Sequence, residues 1–473
     1  MPRAAIVGSG PNGLSAAITL AQAGVEVGVF EGRATIGGAA STAEVTLPGF
    51  HHDLGASVFP MGIASPFFRS LPLADFGLKW LEPAAPLAHP LDDGSALMLE
   101  HDLQETAAAL GADASIFLRL LQPLVDHWPQ LCGEILRPVI HWPSHPLLIA
   151  RFGTLAALPA VTLANTAFQE RRTRALFAGA AAHAVLPLES LFSSAIGLVI
   201  TAAAHSTGWP IVPGGAQALT DALAGYLRSL GGRIETSRTI HSLAELREFD
   251  AILCDLTPRQ LLKIASNELP TGFSARLAGF RYGPGTYKVD WALSQPIPWK
   301  APECLRAATV HVGGSLEEIA DAERSPWRGR TCEKPFVIVT QPGLFDPSRA
   351  PAGKHTAWGY CHVPNGFAGS MLEEIESQVE RFAPGFRDCV LARRAIGPAE
   401  LEAWNPNLVG GDLSGGAMNL SQLLFRPTAS LYRTPRRGLY LCSASTPPGG
   451  GVHGMCGYHA AKAVLRDLTD LTR

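Results

Sequence analysis

The sequence predicts an α/β protein in which a domain built on a parallel sheet is interleaved with a domain that combines an antiparallel sheet and helices. Three observations lead to this prediction: a glycine-rich strand–helix–strand unit over residues 4–31, a second α/β unit over residues 208–255, and period-two strands over residues 287–363. Apolar strands that alternate with helices are typical of parallel sheets, whereas period-two strands are typical of antiparallel sheets with one covered face.

The opening unit has the spacing of a dinucleotide-binding fingerprint. Residues 4–30 predict a buried strand, an alanine-rich helix that ends at Gly24, and a second buried strand. Between the first strand and the helix, Gly8, Gly10 and Gly13 follow the pattern GxGxxG. These glycines allow, in turn, a tight turn, a close approach to a pyrophosphate and close helix–strand packing. The helix N-terminus can then bind phosphate.

Glu31 closes the second strand at the position where an acid accepts hydrogen bonds from a ribose 2′-hydroxyl. Its charge would repel a 2′-phosphate, so the fingerprint favours FAD or NAD over NADP. The loop that follows contains Gly37 and Gly38, a glycine pair that can add backbone N–H groups to a phosphate-binding nest.

Composition restricts the class of protein. Of the 473 residues, 47% are hydrophobic and 17% are charged, which is typical of a large buried core and argues against disorder. The formal net charge of −3 gives no reason to expect nucleic acid as a partner. The eight cysteines form no CxxC or CxxH spacing, so they indicate neither a zinc site nor a redox motif, and reduced thiols fit the cytosol.

The N-terminus and the most apolar stretch of the chain are the places where a targeting signal or a membrane span would be expected. Because the first predicted strand begins almost at Met1, we expect no signal or transit peptide. The most apolar stretch, residues 178–204, is interrupted by His183, Pro187 and Glu189, and it predicts buried helices rather than a bilayer span. We therefore expect a soluble cytoplasmic protein, for which a peripheral membrane contact stays open. The oligomeric state does not follow from the sequence.

Composition along the chain predicts two interleaved domains. We assign residues 1–61, 207–275 and 405–473 to a nucleotide-binding domain, and residues 62–206 and 276–404 to a substrate-binding domain. The first substrate-binding segment is predicted to be mainly helical, and the second contains the period-two strands. The elements predicted for this domain are helices 103–110, 116–125, 171–184 and 373–382 and strands 287–293, 308–312, 336–340 and 356–363.

The tail of the chain repeats the glycine-rich pattern. Residues 438–442 predict a short strand, residues 443–451 a loop of small residues, and residues 452–465 a helix. A glycine-rich loop before a helix N-terminus again points a positive dipole end at an electron-rich group. No second GxGxxG is present, so a separate NAD(P)H domain is not expected.

Six motifs, taken in order, resemble a known family. They are VGSGPNG with Glu31, IGG at 36–38, HDLGAS at 52–57, PGGAQAL at 213–219, YKVDWAL at 287–293, and LYLCSASTPPGGGVHGMCGYHAA at 439–461. This set resembles the phytoene desaturase-like FAD-dependent oxidoreductases, and within them the pyridine nucleotide-disulphide oxidoreductase domain-containing 2 branch. That branch lies beside the carotenoid desaturases and the amine-oxidase superfamily. The resemblance covers essentially the whole chain, and it implies a Rossmann-type FAD-binding domain interleaved with an α+β substrate domain.

The resemblance also implies which residues bind FAD. One group would lie at the pyrophosphate, the ribose and the adenine, and a second at the isoalloxazine ring and its pyrimidine edge. The first group is Gly8, Ser9, Gly10, Pro11, Asn12, Gly13, Glu31, Gly32, Arg33, Gly38, Ala39 and Ile240. The second group is Gly55, Ala56, Ser57, Ser445, Gly451, Val452 and His453. On the residues alone, HDLGAS could equally be an ordinary strand and turn.

Two residues are candidates for catalysis, and each has a structural alternative. His453 could orient a substrate or donate to reduced flavin, or it could cap the helix that follows it. Lys288 could correspond to the lysine that holds a water near flavin N5 in amine oxidases, or it could be solvated or paired with Asp290. The aromatic cage of those oxidases is not recognisable in this sequence.

Other polar residues receive assignments from their positions. The sequence predicts His51 and His52 at the surface or in the cleft, His183, His205 and His459 as buried or capping residues, Tyr360 and His362 on a strand that could line the pocket, and Asp412 as a turn acid.

The leading functional hypothesis is an FAD-dependent desaturase or dehydrogenase that acts on an apolar or amphipathic small molecule. The electron acceptor would be oxygen, a quinone or a partner. A redox-neutral flavin-dependent isomerase and an amine oxidase-like enzyme remain as alternatives. A third, a binding protein without flavin, is disfavoured by the intact glycine fingerprint. We expect no metal and no nucleic-acid partner.

Overall fold

The computed structural model of the protein describes residues 1–470, so the last three residues of the predicted segment 405–473 lie outside the described residues. The strands, in chain order, are β1 (Arg3–Val7), β2 (Glu26–Phe30), β3 (Thr42–Glu44), β4 (His51–Asp53), β5 (Ala85–Pro90), β6 (Ala96–Leu99), β7 (Arg233–Glu235), β8 (Ala251–Cys254), β9 (Gly285–Leu293), β10 (Ala307–Val312), β11 (Val337–Thr340), β12 (His355–Val363), β13 (Val390–Ile396) and β14 (Leu439–Leu441).

Most of the helices precede strand β9, and a helix is the last element of the described residues. In chain order they are α1 (Pro11–Gln22), α2 (Pro60–Ala64), α3 (Pro66–Arg69), α4 (Leu103–Ala108), α5 (Ala114–Asp126), α6 (Trp128–Ile135), α7 (Pro146–Ala156), α8 (Ala160–Ala167), α9 (Arg171–Ala182), α10 (Ser193–Ser206), α11 (Ala216–Ser229), α12 (Pro258–Ala265), α13 (Thr271–Ala278), α14 (Leu316–Trp327), α15 (Leu372–Phe382), α16 (Phe386–Cys389), α17 (Pro398–Trp404), α18 (Leu420–Leu424) and α19 (Met455–Asp470).

A five-stranded parallel sheet brings three distant parts of the chain together. Its order is β14-β8-β1-β2-β7, and every neighbouring pair runs parallel. In register, Val7 lies opposite Phe30 and Cys254, and Cys254 lies opposite Leu441. The carboxyl ends of these strands therefore meet at one edge of the sheet, where ligands bind in open α/β sheets. The strands lie in the segments assigned to the nucleotide-binding domain, whose exact boundaries stay a prediction.

The first and last helices of the chain pack directly on each other through small residues. A Cβ added at Gly457 in α19 would lie 1.8 Å from the carbonyl oxygen of Asn12 in α1, so only glycine fits there. The closing helix begins at Met455 rather than at 452, because Gly454 has a left-handed φ of +70° that breaks the helical conformation. The tail thus returns to the glycine fingerprint in space.

The second sheet has seven strands in the order β13-β9-β12-β11-β10-β5-β6, antiparallel throughout except between β5 and β10. The four predicted strands are confirmed within about two residues at each end. Strands β5, β6 and β13 were not predicted: β5 contains Pro86 and Pro90, which mask a strand signal, and β13 is an edge strand with Arg393 and Arg394. The segment 62–206 is therefore not purely helical.

The prediction that this sheet has one covered face is wrong, because both faces are covered. All nine residues of β9 are buried. Val289 and Trp291 point into an apolar core that includes Val379 and Phe382 of α15. Lys288 and Asp290 point the other way, where the nucleotide-binding domain lies against the sheet. The polar residues of the alternating pattern thus face the other domain rather than solvent.

The two domains are joined by a buried carboxylate, Asp53 of β4. Its Oδ1 accepts hydrogen bonds from Thr42 Oγ1 and from the backbone N–H of Ala216, both at 2.8 Å. Its Oδ2 accepts from Ser57 Oγ and, at 2.8 Å, from Nη2 of Arg349 in the substrate-binding domain. Arg349 and Asp53 are both fully buried.

The charge of Asp53 is held by its partners. Burial acts to raise the pKa of Asp53, but the attraction of Arg349 and the hydrogen bonds outweigh it, and the pKa lies below the ordinary value of 3.8. Arg349 Nε also donates to Asp346 Oδ2 at 2.9 Å, and the same oxygen accepts from the backbone N–H of Gly214 at 2.7 Å. A buried three-residue ion network therefore fixes the position of the second sheet against the first domain.

Removal of Arg349 tests this network. We expect Arg349→Met to lower the free energy of unfolding by about 3–5 kcal/mol, because it leaves the Asp53 and Asp346 carboxylates buried without a counter-charge. The measurement is chemical denaturation at pH 7. The matched control is Arg387→Met, which breaks the exposed pair with Glu373 and should cost less than about 1 kcal/mol. Equal losses in the two variants would contradict the account.

Candidate functional site

A cavity of about 840 Å³ lies at the carboxyl ends of the parallel strands, between the two sheets. This volume lies in the upper part of the range of roughly 300–1,000 Å³ that is typical of ligand-binding pockets. Both domains line the cavity, and they contribute Gly10, Glu31 and Val452 on one side and Trp358 and Tyr360 on the other. The two glycine-rich segments of the sequence therefore face one common space.

Two glycine loops form the floor of the cavity. Gly10 precedes α1 directly, and a Cβ added to it would lie 2.7 Å from Asp255 Oδ2. A Cβ on Gly38 would lie 3.0 Å from the Cα of Gly10, so the two loops touch. A Cβ on Gly55 would lie 2.4 Å from the carbonyl oxygen of Ala39. Side chains at these positions would clash with neighbouring protein atoms and push the loops apart, so glycine is what lets these loops pack together beside the N-terminus of α1. Closely packed glycine loops at a helix N-terminus fit the pyrophosphate of a dinucleotide.

Glu31 lies at the cavity wall and organises the loops around it. Its Oε2 accepts hydrogen bonds from the backbone N–H of Ser9 at 3.0 Å and from Ser9 Oγ at 2.6 Å, and its Oε1 accepts from the backbone N–H of Arg33 at 2.9 Å. A carboxylate can accept about four hydrogen bonds, so Glu31 retains capacity for a ribose hydroxyl. Its position agrees with the role that the sequence predicts.

Arg33 lies beside Glu31 and closes this end of the cavity. Its guanidinium donates to the carbonyl oxygen of Gly38 at 2.8 Å and stacks over the ring of Trp404 at 5.1 Å. Trp404 and Ile240 line the same end. Flat apolar surfaces of this kind fit an adenine ring. Trp404 was not predicted, because it is the last residue of α17, in a segment assigned to the other domain, and no motif marks it.

Asp255 is a functional residue that the sequence analysis missed. It follows β8 at the cavity wall, and its Oδ2 accepts a hydrogen bond from the backbone N–H of Gly13 at 3.0 Å. Burial, with a smaller contribution from the charge of Glu31, raises its pKa from 3.8 to about 7. An acid directly after a buried strand beside β1 was the available signal. Asp255 therefore keeps its proton to higher pH than an ordinary aspartate does.

Gly55, Ala56 and Ser57 also line the cavity, and so do Gly451 and Val452 of the tail loop. These five are among the seven residues for which the resemblance implies contact with the isoalloxazine ring or its edge. They lie on one cavity with the phosphate loops, as a single extended cofactor requires.

A buried arginine holds the wall beside Val452. The Arg426 guanidinium donates to the carbonyl oxygens of Ser414 at 2.8 Å and Ala444 at 3.1 Å, and Gly415 and Ala444 both line the cavity. Asp412, predicted as a turn acid, is confirmed: its carboxylate accepts from the backbone N–H groups of Ser414 and Gly416 in its own turn, and also from that of Gly283.

Three predicted cofactor residues do not line the cavity. The N–H of Gly13 is occupied by Asp255, and a Cβ on Gly13 would lie 2.2 Å from the carbonyl oxygen of Gly8, so its role is helix packing. Ser445 is buried and donates to the carbonyl oxygen of Gly415 at 2.6 Å. The remaining predicted residues of the set line the cavity: Gly8, Ser9, Gly10, Pro11, Asn12, Glu31, Gly32, Arg33, Gly38, Ala39, Gly55, Ala56, Ser57, Ile240, Gly451 and Val452.

His453 is the third, and its contacts favour the structural alternative over the catalytic role, which stays a prediction. Its Nδ1 accepts a hydrogen bond from the backbone N–H of Met455 at 3.1 Å, and its carbonyl oxygen accepts from Ser65 Oγ at 2.6 Å. Burial lowers its pKa to about 4, so the ring is neutral. The structural alternative, a histidine that caps the start of the closing helix, is the one that the structure bears out.

Lys288 also lies outside the cavity wall. It is buried, its Nζ donates to Asp290 Oδ1, and it lies 4.7 Å from the centre of the Trp358 ring. The predicted pairing with Asp290 is confirmed, and a solvated lysine is excluded. Lys288 therefore packs against Trp358 and pairs with Asp290 without lining the cavity, and a catalytic role for it stays a prediction that this geometry does not favour.

The wall formed by the second sheet carries no formal charge. It consists of Ile338, Thr340, Trp358 and Tyr360, joined by His183 of the α9–α10 connection. Burial lowers the pKa of His183 to about 3, so this ring is also neutral. By contrast, the formally charged residues of the cavity lining all belong to the nucleotide-binding segments: Glu31, Arg33, Arg238, Asp255 and Lys263.

The histidine on this wall is held by a second histidine. His183 Nε2 lies 2.8 Å from Nε2 of His311, which is fully buried on β10. His183 was predicted only as a buried or capping residue, and its place at the cavity was not foreseen. Tyr360, predicted to line the pocket, does so. Its neighbour His362 does not, because its Nδ1 pairs with the Glu323 carboxylate at 2.8 Å.

The other histidines have structural contacts. His51 is partly exposed, whereas His52 is buried, so the expectation of a surface pair holds for only one of them. His205 and His459 contact the backbone carbonyls of His101 and Leu136, as their assignment as buried or capping residues predicts. Among residues 1–470, no group of three or more ligating side chains is arranged to hold a metal ion.

Comparisons with known proteins agree with this geometry. A family model for the NAD(P)-binding Rossmann-like domain matches residues 6–71. Pyridine nucleotide-disulfide oxidoreductase domain-containing protein 2 of Mus musculus is 28% identical, over 99% of this chain and 94% of its own length. The chain is a homologue of that protein. A limonene dehydrogenase subunit of Castellaniella defragrans is 23% identical, over 98% of this chain and 94% of its own length.

Solved structures show the same fold. An oxidoreductase from Methanosarcina mazei is 16% identical, with a TM-score of 0.65 over 98% of this chain and 100% of that chain. Wild-type putrescine oxidase bound to putrescine is 16% identical, with a TM-score of 0.61 over 99% of each chain. These structures confirm the α/β fold that the sequence predicts. The curated relatives agree with the family resemblance, and their names are those of oxidoreductases.

Replacement of Asp255 tests its raised pKa. The folded protein keeps the Asp255 proton at pH values where the unfolded chain has lost it, so wild-type stability falls as the pH rises from about 4 to about 7. This loss of stability does not occur in Asp255→Asn, because the asparagine side chain does not ionise. The melting temperature of the variant relative to wild type should therefore increase from pH 4 to about 7 and stay constant above it.

The matched control for this prediction is Asp221→Asn, an exposed acid on α11. Its melting temperature relative to wild type should not change with pH. If the difference in melting temperature between Asp255→Asn and wild type is also independent of pH, then Asp255 ionises normally in the folded protein.

Proposed function

We propose that the protein is an FAD-dependent oxidoreductase of the desaturase or dehydrogenase type, which acts at a carbon atom of an apolar or amphipathic substrate. The observation that carries the proposal is the single cavity that joins the glycine fingerprint, the tail loop and an uncharged sheet wall. When bound, FAD supplies a flavin N5 that accepts hydride.

Different residues of this chain would bind different parts of the cofactor. The loops at Gly10 and Gly38 and the N-terminus of α1 would hold the pyrophosphate, with Glu31 at the ribose. Arg33 and Trp404 would hold the adenine. Gly55 to Ser57 and the loop at Gly451 would enclose the flavin ring, because small residues there leave room for a flat group.

The sheet wall would select the substrate. An uncharged surface with two aromatic rings orients a neutral apolar molecule and excludes water from the reacting carbon. Trp358 and Tyr360 stack on each other at 5.6 Å, which keeps this surface flat. The relative from Castellaniella defragrans is named for limonene, a hydrocarbon, and this supports an apolar substrate class.

The amine oxidase alternative has support from the fold, because putrescine oxidase is a structural neighbour. A protonated amine would need an anionic or strongly polar partner at the reacting end of the cavity. The sheet wall provides no carboxylate, so the neutral substrate class is preferred. Reduced flavin would transfer its electrons to oxygen, to a quinone or to a partner protein in the cytoplasm, and the proposal includes all three acceptors.

Anaerobic mixing distinguishes these substrate classes. Protein reconstituted with FAD is mixed with terpenoid or polyene hydrocarbons, with alcohols and with primary amines, and flavin absorbance is followed. We expect bleaching by a neutral apolar class and none by alkylammonium compounds. Bleaching by amines alone would replace the proposal with the amine oxidase alternative, and a protein that binds no FAD would overturn both.

Glu31→Arg tests the cofactor site itself. The substitution removes the acceptor for the ribose and for the Ser9 and Arg33 N–H groups, so we expect the purified variant to retain almost no flavin. Flavin is measured by its absorbance after release from the protein. Glu31→Gln keeps the size and should retain an intermediate amount.

The control is Glu26→Arg, which makes the same charge change at the exposed start of β2. It should keep the flavin content of wild type. Normal flavin content in Glu31→Arg would contradict the assignment of the cavity as the FAD site.

A further inference from the structure

An exposed apolar segment comprises the connection between helices α6 and α7 and the first turns of α7, and none of its residues lines the cavity. Within nine residues it contains Val139, Ile140, Trp142 and Leu147, whose exposed fractions are 47%, 63%, 93% and 86%. Exposed large apolar side chains are common singly on protein surfaces, but a contiguous group of them marks an interaction site. We refer to residues 137–151 as the apolar loop segment.

The apolar loop segment is held in place from beneath by a buried acid. Glu134 of α6 is almost fully buried, and its Oε1 accepts hydrogen bonds from the backbone N–H groups of Ser144 at 2.7 Å and His145 at 3.0 Å. Its Oε2 contacts His141 Nε2 at 2.6 Å. The carbonyl oxygen of Leu136 is also held, by His459 Nε2 at 2.9 Å. Trp142 is therefore presented to solvent by an anchored turn rather than by a loose chain.

The exposed charges of the segment are positive, although Arg137 Nη1 lies 3.9 Å from Oε2 of the buried Glu134, which partly offsets its charge, and Arg151 donates to the carbonyl oxygen of Arg119 at 3.0 Å. Residues 136–154 contain Arg137 and Arg151 and no aspartate or glutamate. The long arginine side chains can keep their charges in water while their stems lie along an apolar surface. An apolar tip that includes a tryptophan, flanked by arginines, has the composition of a segment that inserts into the interfacial region of an anionic membrane.

We propose that the apolar loop segment docks the protein on a membrane surface, with Trp142, Ile140 and Leu147 inserted among the lipids and Arg137 and Arg151 at anionic headgroups. A membrane fits this surface better than a second copy of the chain, because anionic headgroups complement its net positive charge, whereas two copies would place the arginines of one beside those of the other. No single helix among the described residues is long and apolar enough to cross a bilayer, although the bent pair Pro146–Ala156 and Ala160–Ala167 meets that criterion together by length and composition.

This inference does not depend on the identity of the substrate. It extends the proposed function, because an apolar substrate concentrates in lipid and docking would place the enzyme at its source. The membrane contact and the cofactor site lie in different parts of the molecule, so either can fail without the other.

Vesicle flotation tests the proposal on the full-length protein. Vesicles of phosphatidylcholine, with and without phosphatidylglycerol, are mixed with wild type and with Trp142→Ser combined with Leu147→Ser. We expect wild type to float with the anionic vesicles and to be released by salt. The double variant should bind at least about tenfold more weakly, because it loses the apolar area that enters the lipid.

The control variant is Phe425→Ser, which removes an apolar side chain that is 49% exposed elsewhere on the surface. It should float as wild type does. Flavin content, measured on all variants, should be unchanged, which separates this test from the cofactor assignment. Absence of wild-type binding to either vesicle overturns the proposal. So does binding that the double variant retains, or a loss of self-association in the double variant without any vesicle binding.

Discussion

The arrangement of the cavity depends on one buried carboxylate, Asp53. Its four hydrogen bonds reach β3, the start of α11, the loop that carries Ser57, and Arg349 of the other domain. A buried charge with four partners has one favourable geometry, because each lost partner costs the desolvation of that group. These contacts link the substrate-binding domain directly to the loops that line the cavity.

The charge distribution of the cavity follows from the same division into two domains. Charged and titratable groups lie where the parallel strands end, since backbone N–H groups and helix termini there can stabilise them. The wall formed by the second sheet consists of uncharged residues. Lys288 and Asp290 of the same sheet pair with each other next to Trp358, so they add no net charge to this wall. The molecule thus presents a polar end to a nucleotide and a neutral end to a substrate.

Local sequence patterns were sufficient to predict the first of these ends. The spacing of Gly8, Gly10, Gly13 and Glu31 determines a turn, a helix start and an acid whose positions depend on short-range geometry. The roles of His453 and Lys288 could not be predicted in the same way. Whether a histidine faces a cavity or caps a helix depends on one backbone N–H, here that of Met455, which the motif does not specify.

The residues that the sequence did not reveal act across long distances along the chain. Arg349 reaches Asp53 across 296 positions, and His183 reaches His311 across 128. Asp255 is the exception, since its place after a buried strand could have indicated the cavity edge. Strands β5 and β13 were missed because prolines and arginines are tolerated where a strand lies near a sheet edge.

The central claim is that the opening βαβ unit and the closing glycine-rich loop bind opposite ends of one FAD. A crystal structure of the protein grown with FAD tests it most directly. The account predicts continuous density for one dinucleotide per chain, with the pyrophosphate at Gly10 and Gly38 and the flavin ring between Ser57 and Val452. Density in which the flavin ring lies away from Val452, or a cofactor bound outside this cavity, would contradict it.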